Sequence, residues 1–131
     1  MEKNQVRIFD DNLFFSSVIS GQLEKAGVSF RILSSMSQGA LTQEDGSEIL
    51  ATVNLNALGF NPIDLIGQLK RDGNTKILGF CGHGQKELIQ RGKEAGCDWV
   101  VPNSVVAKGL LNFLKRQKVF FPTPAQLEQK T

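Results

Sequence analysis

Val6-Arg7-Ile8-Phe9-Asp10-Asp11, residues 6–11, is a mostly apolar run halted by two adjacent carboxylates. A short run of apolar, β-favouring residues that stops at acidic residues has the signature of a strand running out into a turn. Beyond it, Phe15, Ile19, Leu23 and Ala26 recur at helical spacing until Gly27. The first unit is therefore strand, acidic turn and helix.

Working outward, the alternation continues. Val28 to Leu33 returns to β-favouring residues, and a short helix is expected around Gln38 to Glu44 in the polar stretch that follows. Ile49-Leu50-Ala51-Thr52-Val53 has the continuous apolar character of a buried strand and ends at Asn54-Leu55-Asn56. Pro62 opens a helix carrying Ile63, Ile66 and Leu69 on one face. Lys76 to Phe80 is a fourth strand and Cys81-Gly82-His83-Gly84 a turn. Leu88, Ile89, Gly92 and Ala95 form the packing face of the next helix, which Gly96 stops. Trp99-Val100-Val101 is the fifth strand, and Val106, Leu110, Phe113 and Leu114 mark a closing helix. Five β segments separated by helices give a parallel α/β sandwich with right-handed crossovers and helices on both faces.

Composition bounds the function. The chain has 131 residues, of which 40% are hydrophobic and 21% charged, as suits a globular domain rather than a disordered or fibrous chain. The reading is one domain over residues 1–117 and a C-terminal extension or flexible tail over 118–131, where Pro122 and Pro124 break any helix. Fifteen basic against thirteen acidic residues leave a net charge of +2, too small to mark a nucleic-acid or membrane surface. The short basic cluster Lys115, Arg116 and Lys118 is a solvated helix end, and direct nucleic-acid binding is not expected. No apolar run approaches the roughly 20 residues that cross a bilayer. Two cysteines and no leader-like segment point to a cytoplasmic protein with reduced thiols.

In a doubly wound sheet the loops after the strands gather at one edge. That rule collects Asp10, Asp11, Asn54, Cys81 to Gly84, and Pro102 to Ser104. Asp10 and Asp11 are candidate ligands for a hard cation such as Mg²⁺. Alternatively, Asp11 or Asn12 caps the first helix while the other carboxylate is solvated. Cys81 and His83 supply a thiol and an imidazole for nucleophilic or redox chemistry, yet the loop lacks the full phosphate-loop and dinucleotide glycine patterns. The bland reading has Cys81 buried at a strand end and His83 exposed in a loop. Zinc at Cys81, His83, Cys97 and Asp98 is disfavoured by spacing. Trp99, Phe120 and Phe121 are candidate partner-binding aromatics, set against ordinary packing on the domain.

The opening strand with Asp10 and Asp11, and Ala95-Gly96-Cys97-Asp98 before the fifth strand, resemble the bacterial response-regulator receiver family over about residues 5–117. The resemblance implies a flavodoxin-like doubly wound five-stranded parallel sheet in strand order 2-1-3-4-5. It also implies an aspartate phosphorylated by a sensor kinase with Mg²⁺ at the acidic pair, a threonine or serine switch after the fourth strand, and a lysine after the fifth. Position by position, the acidic pair is Asp10 and Asp11, the phosphoacceptor position holds Asn54, the hydroxyl position Cys81 and the lysine position Asn103. Three of the five have changed. A carboxamide is a poor nucleophile, Asn103 carries no cation for a transferring phosphoryl group, and a thiol is a weak hydrogen-bond donor.

The expectation is a pseudo-receiver: a phosphorylation-independent protein interaction module, not an enzyme. It would need no cofactor, bind Mg²⁺ weakly at most, and meet a signalling protein, a sensor kinase or a second copy of itself in a homodimer. The alternatives are an unusual phosphoacceptor receiver and a small enzyme using the Cys81 and His83 loop.

Overall fold

The computed structural model describes residues 5–33, 49–72 and 75–117. Along the chain run β1 (Gln5–Phe9), α1 (Leu13–Ala26), β2 (Phe30–Leu33), β3 (Ile49–Asn54), α2 (Pro62–Asp72), β4 (Thr75–Cys81), α3 (Lys86–Ala95), β5 (Trp99–Pro102) and α4 (Asn103–Arg116). The strands form one parallel sheet in the order β2-β1-β3-β4-β5, as expected. The short helix expected around Gln38 to Glu44 and the tail with Phe120 and Phe121 lie outside the described residues.

Strand boundaries differ from the sequence reading: β3 runs on to Asn54, and β4 spans Thr75–Cys81, so Cys81 ends a strand rather than opening a turn. β2 begins at Phe30 rather than Val28, because the Val28 N–H donates to Leu23 O and closes α1 behind Gly27. Gly27 takes the left-handed conformation that this helix stop demands, with φ 74°. β5 extends to Pro102, which pairs with Cys81.

Strand alternation sorts the core onto two faces. Val6, Ile8, Leu50, Leu78, Phe80 and Val101 meet Ile19 and Leu23 of α1 and Val106, Leu110 and Leu114 of α4. Phe9, Ala51, Val53, Ile77 and Cys81 point the other way, onto Leu65, Ile66 and Leu69 of α2, with Leu88 and Ile89 of α3 packed alongside. β3 is buried along its whole length, which is why its sequence shows a run rather than an alternation. Burying each such Leu or Ile side chain contributes about 1.5–3 kcal/mol.

Polar ties fix the frame at two places. At the N-terminal edge of β4 and β5, Asp98 N donates to Ile77 O at 2.9 Å, and Asp98 Oδ2 accepts from Ile77 N at 2.7 Å and from Lys70 Nζ at 3.2 Å. Gly96 lies beside that lysine with φ 127°, where a Cβ would stand 2.6 Å from Lys70 Cγ.

The second tie joins α1 to α4. Gly109 leaves the helical conformation at φ −159°, ψ 43°, and interrupts α4. In an unbroken helix Leu110 N–H would donate to Val106 O. The Gln22 side chain serves both groups: Nε2 donates to Val106 O at 2.8 Å and Oε1 accepts from Leu110 N at 3.1 Å. One amide from α1 thus splices the break in α4.

Replacing Gln22 by Leu removes both bonds at a part-buried joint and should cost about 1–3 kcal/mol. A lower urea midpoint with an unchanged slope is the expected result.

Candidate functional site

Parallel pairing of β1 with β3 sets Phe9 opposite Val53, so the next residues, Asp10 and Asn54, emerge side by side at the C-terminal edge. Alternation turns both toward the α1/α4 face. Asp10 is 2% exposed and Asn54 5%. Asn54 Nδ2 donates to Asp10 Oδ1 at 3.0 Å, and Asn12 N donates to the same oxygen at 2.9 Å. Asn54 Oδ1 accepts from Asn56 N at 2.9 Å. A backbone N–H can only donate, so this bond fixes the amide with its NH₂ toward the carboxylate.

Asp10 Oδ2 is buried without a hydrogen-bond partner. Burial pushes the Asp10 carboxyl above its ordinary range, more than the bonds from Asn54 and Asn12 pull it down.

Asp11 is exposed and does different work. Its Oδ2 accepts from Gly59 N at 2.7 Å and Leu58 N at 2.9 Å, and these bonds hold its carboxyl below the usual value. Asn12 is the N-cap of α1, with Oδ1 accepting from Phe14 N at 2.9 Å and Phe15 N at 3.2 Å. Of the two capping candidates the asparagine takes the role, and Asp11 braces the loop between β3 and α2.

A cavity of about 310 Å³ opens at this edge. Asp11, Asn12, Asn54, Asn56 and Asn103 supply its polar walls, and Phe15 and Leu58 its apolar ones. Asn103 opens α4, and its Oδ1 is a second buried acceptor without a partner. Among the described residues no lysine or arginine lines the cavity.

Asn56 is also clamped to Gln85 across two loops. Asn56 Nδ2 donates to Gln85 Oε1 and Gln85 Nε2 returns a bond to Asn56 Oδ1, both at 2.9 Å, while Gly82 N donates to Gln85 Oε1 at 2.7 Å. Sequence reasoning collected Asp11, Asn54 and Asn103 but missed Asn56, Gln85, Phe15 and Leu58 as site residues. Asn56 stands two positions after Asn54, the one available hint; Gln85 gives none, because its partner is 29 residues away.

Cys81 departs from the expected pocket. It is the last residue of β4 and falls on the α2/α3 face, in the apolar cluster with Phe9, Val53 and Leu65. Asn54 faces the opposite side, so the two do not share a wall. Burial pushes the Cys81 thiol up, and that of Cys97 up to about 12. Both therefore stay protonated and poorly nucleophilic near neutral pH. His83 is exposed. Among the described residues no three His, Cys, Asp or Glu side chains are grouped to hold a metal ion, so Cys81, His83, Cys97 and Asp98 do not form a zinc centre. Trp99 is half-buried and lies edge-on to Phe113 at 6.3 Å.

Among solved structures, the fold matches response-regulator receiver domains. A CheY-like receiver domain protein from Methanospirillum hungatei JF-1 is 18% identical, over 100% of both chains, with a TM-score of 0.67. A response regulator from Thermotoga maritima is 21% identical, over 87% of this chain and 96% of that one, at 0.68. One from Burkholderia pseudomallei, solved with a phosphorylated aspartic acid, a calcium ion and citrate, is 19% identical over 89% of this chain and 73% of that one, at 0.60. No protein-family model and no curated protein matches the sequence. The chain has the receiver-domain fold, which is flavodoxin-like.

A raised carboxyl means that the folded state holds the Asp10 proton more tightly than the unfolded chain does. Asp10 therefore erodes stability as pH rises from its ordinary value, 3.8, through the raised one. Asp10→Asn keeps an acceptor for Asn54 and Asn12, so its melting temperature should exceed that of the parent at neutral pH, and the advantage should shrink as pH falls toward 3.8. Thermal melts across that range check it.

Proposed function

We propose that this chain is a receiver-fold signalling module that docks a protein partner without accepting phosphate. The observation that carries the reading is the direction of the Asn54 amide. Its NH₂ faces Asp10 and its oxygen is spent on Asn56 N. The position that matches the phosphoacceptor therefore presents a hydrogen-bond donor rather than a nucleophilic carboxylate. Asn103 supplies no cation to offset charge on a transferred phosphoryl group, and Cys81 lies on the other face of the sheet.

The same geometry fits Mg²⁺ poorly. A cation at the acidic pair would find one unpartnered oxygen, Asp10 Oδ2, but Asp11 Oδ2 is already bonded to two backbone N–H groups and the Asn54 NH₂ stands where a third oxygen is wanted. In this reading the domain needs no cofactor and holds Mg²⁺ weakly. It acts in the cytoplasm on a signalling protein or sensor kinase, or pairs with a second copy, and does not contact nucleic acid directly. Among the described residues no helix is long and apolar enough to cross a membrane. The module is not an enzyme: both thiols are held neutral by burial, which argues against chemistry at the Cys81 and His83 loop.

Intact-mass measurement after exposure to acetyl phosphate and Mg²⁺, beside a receiver that labels under the same conditions, tests the reading. No phosphoryl gain is expected. A stoichiometric, Mg²⁺-dependent gain abolished by Asp11→Asn would make the chain a phosphoacceptor and end the proposal.

A further inference from the structure

We infer that the cavity at the strand ends receives a cationic side chain, an arginine or lysine, from a partner protein segment whose flanking residues are apolar. The inference rests on the docking role proposed above and names what is docked.

Among the described residues, the walls of the cavity carry one carboxylate and four asparagines, with no lysine or arginine. Directly behind them stands Asp10, which is 2% exposed; its Oδ1 holds the wall residues Asn12 and Asn54, and its Oδ2 has no partner. Asn103 Oδ1, in the wall itself, is a second buried acceptor without a partner. Buried polar atoms are normally satisfied, and an unsatisfied acceptor in a wall that also carries the Asp11 carboxylate calls for a donor. A cationic donor suits both groups, since charge-assisted bonds to carboxylates are the stronger class. The guanidinium fork suits several separated acceptors at once.

The rim is apolar. Four large hydrophobic side chains are exposed among the described residues: Leu13 (83%), Phe14 (60%), Ile32 (48%) and Leu58 (94%). Leu58 lines the cavity, while Leu13 and Phe14 lie between its wall residues Asn12 and Phe15. The Phe14 ring meets Phe15 edge-on at 5.1 Å. Only Ile32, on the edge strand β2, is unconnected with the site. An isolated exposed Leu is ordinary, but Leu58 stands in the wall of a polar opening, and Leu13 and Phe14 are exposed in the first turn of the helix that supplies Asn12 and Phe15 to that wall. A free amine or a metal ion would leave them uncovered; a segment with apolar residues around its cation covers them. An anionic segment would be repelled by Asp11 in the wall.

The test titrates two blocked tripeptides, acetyl-Leu-Arg-Leu-amide and its neutral isostere acetyl-Leu-citrulline-Leu-amide, into the ¹⁵N-labelled full chain, followed by amide chemical shifts. The arginine peptide should give saturable shifts at Asp11, Asn12, Leu58, Gly59 and Asn103, and the citrulline peptide should bind about tenfold more weakly or worse, as the loss of one charge-assisted bond implies. Asp11→Asn preserves an acceptor for Leu58 N and Gly59 N and should weaken the arginine peptide alone. Leu58→Ser should weaken both peptides, and Ile32→Ser neither. Equal affinities for the two peptides, shifts confined to other surfaces, or no saturable shift up to about 10 mM peptide would overturn the inference. So would MgCl₂ reproducing the shifts while the arginine peptide does not. Those outcomes leave the phosphate-independent reading standing, which falls only to phosphoryl labelling.

Discussion

The hydrogen bond from Asn54 to Asp10 is where the central strand of the sheet, β3, is closed against its neighbour β1. β1 and β3 are parallel, so their C-terminal ends bring two polar side chains to one buried point. Two carboxylates there would repel unless a metal ion or a proton lay between them. The amide removes that requirement. Around the bond the rest of the edge is arranged: Asn12 caps α1 and donates to Asp10, Asn56 holds the far side of the Asn54 amide and clasps Gln85, and Asp11 ties down the loop before α2.

This edge contrasts with the core beneath it. The two apolar layers are locally consistent, each strand alternating between α1/α4 and α2/α3, and even the break in α4 is bridged by Gln22. At the cavity the picture changes. Asp10 is buried with one oxygen unpartnered, the Asn103 carbonyl in the wall is buried without a donor, and Leu58 stands in solvent at the opening. Departures from packing rules of this kind are what a binding site costs a fold. The receiver scaffold supplies the position of the site, and these particular side chains decide what it can do there.

Much of the architecture was legible in the sequence because it rests on local periodicity. The run 49–53 announced a buried strand, and Phe15, Ile19 and Leu23 announced a helix with one buried face. The ends of strands were placed well enough to collect Asp10, Asp11, Asn54 and Asn103 at one edge. What failed was parity and long-range pairing. Cys81 was grouped with Asn54 because both end strands, yet alternation sends them to opposite faces. The Asn56–Gln85 clamp and the Gln22 splice join residues 29 and more than 80 positions apart, and a lone glutamine carries no local mark of such a role. The acidic pair reads as two equivalent ligands, whereas one of its members is buried beneath the site and the other braces a loop at the surface.

If the Asn54 amide does the work that a metal ion would otherwise do, Mg²⁺ should stabilise Asn54→Asp and leave the parent chain unchanged. Thermal melting of both at neutral pH, with and without about 10 mM MgCl₂, measures this directly through the stabilisation that ligand binding gives the folded state. The account predicts a parent whose melting temperature is unmoved by Mg²⁺, and a variant that melts lower without it and recovers with it. A parent stabilised by Mg²⁺ as strongly as the variant, or a variant no less stable than the parent in its absence, would contradict the account.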